Sequence, residues 1–143
     1  MTIDAFLYTA EKLKPDKFAA FGQELAKTPN VEVQYPQVGQ ITVLRDDMPV
    51  FLKLIRPGEY GDWFLNDDTA RSMPFHVHSI ISMNVSTSPI RKADIGLRLA
   101  IEIAAQCARH WPCALDNLAV GEGHKRYTRE EILQAEQQGK LLE

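Results

Sequence analysis

The sequence predicts an α+β domain: a mainly antiparallel sheet of about five to six strands, two packed helices and a short C-terminal helix. Three observations point there. Several short segments alternate apolar and polar residues with the period of two that marks a half-buried strand. Two other stretches repeat apolar residues at helical spacing, and a capping sequence opens a third. The order that results, β-α-β-β-β-(long loop)-β-α-β-α, contains a hairpin and no run of βαβ units, so helices and an antiparallel sheet segregate into layers. The 143 residues are the length of one ordinary domain, 1–143, and no internal repeat, low-complexity tract or linker divides them.

Each element has a local cause. Residues 3–9 (IDAFLYT) are rich in β-branched and aromatic side chains and read as the first strand. Pro15 suits the first turn of a helix, and Phe18, Phe21 and Leu25 follow at helical spacing, which predicts a helix over 15–27. Thr28-Pro29-Asn30 stops it. Val31, Val33 and Tyr35 alternate with Glu32 and Gln34. Strands at 41–44 and 50–55 flank the turn residues Asp46-Asp47-Met48-Pro49 and form a hairpin. Residues 57–74, with two glycines, two prolines and the large apolar residues Tyr60, Trp63, Phe64 and Leu65, are a long connection of the kind that often carries function. From Phe75 the alternation returns: Phe75, Val77, Ile81, Met83 and Val85 on one face, His76, His78, Ser82, Asn84 and Ser86 on the other, with Ile80 out of phase. Ser88-Pro89 is an N-cap and N1 pair for a second helix whose polar residues, Arg98, Glu102, Gln106 and Arg109, make one narrow stripe. That helix is expected to be the core, with Ile95, Leu99 and Ile103 nearly fully buried. Trp111-Pro112 ends it, residues 114–120 predict a short strand, and Thr128 with Glu131 is a capping box for a helix that stops at Gly139.

Composition removes several classes. Sixteen basic and nineteen acidic residues leave a net charge of −3, so no general basic field holds a phosphate backbone and nucleic acid is not the expected partner. No apolar run approaches the roughly 20 residues that span a bilayer. The start, Met1-Thr2-Ile3-Asp4, lacks a basic n-region, so the expected location is the cytoplasm. Cys107 and Cys113 match neither a redox CxxC nor a zinc pattern and read as a buried, reduced pair, with a redox pair as the alternative.

Catalytic signatures are scarce. There is no Gly-x-Ser-x-Gly elbow, no dinucleotide fingerprint and no P-loop. Cys107, within an apolar helix, is a poor thiolate, since burial raises a thiol's pKa. His76-Val77-His78 is the sharpest candidate for chemistry, because residues two apart on a strand share a face and two imidazoles there reach one metal ion. A site needs a third donor, and His124, Glu59 and Asp62 are too distant in sequence to be placed beside the pair. The plainer reading is two solvent-facing histidines, and no bound metal or cofactor is expected.

The second candidate is the acidic middle of the chain. Six acids lie from residue 46 to 68 (Asp46, Asp47, Glu59, Asp62, Asp67 and Asp68) against Lys53 and Arg56, which leaves 14 basic and 13 acidic residues elsewhere. Tyr60, Trp63 and Phe64 lie among these acids. Aromatic anchors ringed by charge give a protein-binding surface its affinity and its steering, and Asp46, Asp47, Glu59, Tyr60, Asp62, Trp63, Asp67 and Asp68 are the expected contacts. The competing reading is a solvated loop whose aromatics plug the core.

The C-terminal third adds a resemblance. The helix over 97–108, the run Trp111-Pro112-Cys113-Ala114-Leu115-Asp116-Asn117, a glycine loop and Lys125-Arg126-Tyr127-Thr128-Arg129-Glu130-Glu131-Ile132 are similar to the tail of small bacterial immunity proteins. Those neutralise polymorphic or secretion-system toxins, and their tail has a helix, a short A-L-D strand and a Y-[ST]-x-E-E-[IL] helix start. The likeness covers about 45 residues and carries no functional residue across. The resemblance implies a non-catalytic, cytoplasmic inhibitor that occludes a protein partner, such as a toxin with a basic surface. The alternative is a small metal-binding domain or hydrolase built around His76 and His78.

Overall fold

Among the described residues seven strands hydrogen-bond into one sheet in the order β2-β3-β4-β5-β1-β6-β7, and every ladder between them is antiparallel. They are β1 (Thr2–Thr9), β2 (Glu32–Gln34), β3 (Gln40–Arg45), β4 (Met48–Ile55), β5 (Ser79–Ser86), β6 (Cys113–Asn117) and β7 (Lys125–Tyr127). Four helices accompany them among the described residues: α1 (Pro15–Leu25), α2 (Asp68–Arg71), α3 (Ile90–His110) and α4 (Arg129–Gln137). The computed structural model describes residues 2–55, 68–86, 90–117 and 125–142. The expected N-cap at Ser88-Pro89 lies outside them. The α+β architecture is the expected one, with one strand and one helical turn more than the sequence predicts.

Alternation along the strands builds the main core. Ala5 and Leu7 of β1, Val50, Leu52 and Leu54 of β4, Ile81, Met83 and Val85 of β5 and Leu115 of β6 all point to one face and are buried. Helices α1, α3 and α4 cover that face through Phe18, Phe21, Leu99, Ile103, Ile132 and Ala135. Leu99 and Ile103 are buried as the helical pattern predicts, whereas Ile95 is half-buried. At that turn Gly96 makes the sheet contact: a Cβ there would lie 3.1 Å from Val85 Cγ1, so the helix leans on its glycine and tips Ile95 outward.

Two ends of helices show their chemistry. Thr128 Oγ1 accepts from the Glu131 N–H at 3.2 Å, and the Glu131 carboxylate accepts from the Thr128 N–H at 3.0 Å, completing the capping box. Hydrogen bonding from the Thr128 backbone N–H, followed by the Thr128 side chain, holds the Glu131 carboxyl below its ordinary pKa. At the far end Gly139 (φ 67°) takes the left-handed conformation, with Gly139 N–H donating to Glu136 O and Lys140 N–H to Ala135 O, a Schellman stop.

The opposite face of the sheet is covered differently. A second apolar cluster of Tyr8, Ile55, Ala70, Met73, Val77, Ile80 and Ala114 closes one end of it under α2. This corrects the expected phase of the 75–86 run. Regular alternation would put Val77 with Ile81, but Val77 packs with Ile80 instead, because 76–78 lies before β5 and the alternation restarts at Ser79. Ile80 is therefore a core residue of the second face.

Candidate functional site

The β3–β4 hairpin positions the first two expected contacts. Arg45 pairs with Met48 across the ladder, so Asp46 and Asp47 are the whole turn. Both have positive φ, 50° and 65°, the mark of a type I′ turn whose twist matches the flanking strands. Aspartate tolerates this conformation less well than glycine, so two carboxylates occupy a turn that glycine would fill more easily. Both are exposed. Arg45 does not neutralise them: its guanidinium forks onto Glu102 of α3, with Nη2 donating to Oε1 at 3.1 Å and Nη1 to Oε2. That ion pair sits on the helical side, and among the described residues no ion pair engages Asp46 or Asp47.

The sheet behind this tip supplies a feature that sequence reading did not single out. Phe51 is 47% exposed in the middle of β4. It belongs to the cross-strand row Gln34–Thr42–Phe51–Asn84–Asp4, and the next row towards the tip contains Glu32, Leu44 and Pro49. Leu44 and Pro49 are half-buried and extend the apolar patch. Asp4 and Glu32, the charged members of these rows, are exposed acids, and Asn84 Nδ2 donates to Asp4 Oδ1 at 2.6 Å. Half-buried Lys53 stands one row further from the tip. Strand alternation puts Phe51 on the face of Lys53, opposite Val50, Leu52 and Leu54, but does not say which face the helices cover.

Of the other expected contacts, Asp68 is exposed at the first position of α2. Glu59, Tyr60, Asp62, Trp63 and Asp67 lie outside the described residues.

His76 and His78 are both exposed and flank buried Val77. Their rings meet edge to face with centroids 4.6 Å apart. His78 ties the start of β5 to the end of β1: its N–H donates to Thr9 O at 2.9 Å, and Nδ1 bonds Ala10 O at 2.8 Å. A carbonyl only accepts, so Nδ1 carries the proton in that bond. Among the described residues no group of three or more His, Cys, Asp or Glu side chains is placed to hold a metal ion.

Cys107 and Cys113 are free and buried. A hydrogen bond with Cys113, followed by burial, pushes the Cys107 thiol well above its ordinary pKa. A cleft of about 440 Å³ opens between α1 and the 35–41 turn, walled by Phe18, Tyr35, Val38 and Ile41. Beside it, Gly22 lets the Tyr35 and Ile41 side chains pack on α1, since a Cβ there would lie 2.9 Å from both Tyr35 Oη and Ile41 Cδ1. Comparison with family models, curated proteins and solved structures returns no match to this chain.

Proposed function

We propose that this chain is a non-catalytic binding protein of the immunity or inhibitor type, acting in the cytoplasm by occluding a protein toxin whose surface is basic. The observation that carries this reading is the open sheet face. Phe51 stands half-exposed between Leu44, Pro49 and Asn84, rimmed by Asp4, Glu32 and the Asp46-Asp47 turn. Covering the exposed part of Phe51 is worth on the order of 2 kcal/mol. The surrounding carboxylates repel acidic partners and speed the approach of basic ones. The C-terminal likeness to immunity proteins supports the same reading.

The surface keeps the hairpin acids that the sequence points to and adds Phe51 as a described anchor, while Tyr60 and Trp63 lie outside the described residues. The test is co-expression of this chain with a panel of bacterial protein toxins that have basic surfaces. Wild type restores growth against at least one of them and co-purifies with it, whereas Phe51→Ala combined with Asp46→Lys and Asp47→Lys does neither while remaining folded. Failure of the wild-type chain to restore growth or bind would reject the proposal.

A further inference from the structure

We infer that a second site, the cleft between residues 73–75, the start of β6 and the β7–α4 junction, binds a small amphiphilic monocarboxylate. The cleft measures about 380 Å³. That lies within the range of small-molecule pockets, with room for a chain of about eight carbons. Met73, Pro74, Phe75 and Pro112 give it apolar walls, and Arg126, Arg129 and Glu130 line it as well. It lies at the start of β6, away from the Phe51 rows, and does not depend on the function proposed above.

The two arginines define the ligand's head. Arg126 is exposed on β7, where Asp116 is its neighbour across the ladder. Arg129 donates from Nε to Ala108 O at 2.7 Å, which fixes the guanidinium and leaves its two terminal amino groups. It is also the first residue of α4, where the helix dipole disfavours a cation. Among the described residues neither arginine forms an ion pair. One carboxylate between them gains charge-assisted hydrogen bonds from both. Glu130 at the same cleft reduces its charge to that of a single cation, which suits a monoanion better than a phosphate dianion. The apolar walls then select a carboxylate with a hydrocarbon body over a short, hydrated one.

The test uses calorimetry and amide NMR on the full chain with octanoate, octan-1-ol, acetate and inorganic phosphate, all below micellar concentrations. Octanoate is expected to saturate one site and to shift the amides of Phe75, Ala114 and Arg126. Octanol, acetate and phosphate are each expected to bind at least ten-fold more weakly. Arg126→Gln, a change at an exposed side chain, should weaken octanoate about ten-fold and leave octanol unchanged. The inference is overturned if octanoate binds no more tightly than octanol, if the shifts fall outside the cleft, or if Arg126→Gln binds octanoate as wild type does.

Discussion

The two faces of the sheet are made by the same strands and meet opposite fates. On the helical face, Leu7, Leu52, Met83 and Leu115 are at most 2% exposed beneath α1, α3 and α4. On the other face the second apolar cluster covers one end, and the neighbouring rows hold Phe51 at 47% exposure beside Asp4 and Glu32. Successive residues of β4 therefore serve different purposes: Val50, Leu52 and Leu54 hold the fold, and Phe51 is available for contact. A residue's stability cost and its value in binding separate by a single step along a strand. If that division is right, mutations on the helical face act on folding, and mutations on the open face act on association.

The largest effect should come from the centre of the helical face. Leu99→Ala empties a site that is 2% exposed and should cost about 2–5 kcal/mol in denaturant unfolding. A loss below about 1 kcal/mol would show that α3 is not the core helix. Next comes Gly22→Ala, which forces a Cβ within 2.9 Å of Tyr35 Oη and Ile41 Cδ1 and should cost about 1–3 kcal/mol through overpacking. Combining it with Tyr35→Ala should recover part of that loss, because the first clash then disappears. An unchanged loss would place the strain at Ile41 alone.

The smallest effect has the opposite sign. Asp47→Gly relieves a residue at φ 65° and should stabilise the chain by about 0.5–1 kcal/mol, the steric gain being reduced by glycine's greater entropy loss. The same change removes a carboxylate from the open side of the molecule. A variant that melts higher and binds more slowly would separate the two purposes most sharply. One that melts lower would mean the Asp47 side chain holds the turn together.

Much of this fold is legible in the sequence, and the exceptions have physical causes. α1 and the Asp46-Asp47 hairpin follow from proline placement, helical spacing and turn residues. β7 escapes because Lys125-Arg126-Tyr127 carries two charges and no alternation, and it becomes a strand by pairing with Leu115–Asn117. α2 is four residues long, too short for a period to register. The second apolar cluster is hidden because Val77 and Ile80 belong together only once the chain breaks step before Ser79. The acids of the hairpin were identifiable from charge density. Phe51 was not, since one aromatic on a strand becomes a candidate contact only when it is known which face the helices leave open.

The central claim is that the open face is the binding surface. The most direct measurement is the binding kinetics of wild type, Phe51→Ala and the double variant Asp46→Lys/Asp47→Lys with a basic-surfaced toxin that the wild-type chain neutralises in co-expression, at low and high salt. Phe51→Ala should raise the dissociation rate, weaken binding by about 2 kcal/mol and change folding stability by about 1 kcal/mol or less. The double variant should slow association several-fold at low salt and much less at 1 M, where the Debye length falls to about 3 Å. Wild-type kinetics for both variants, with the toxin still bound, would contradict the account and place the interface elsewhere on the molecule.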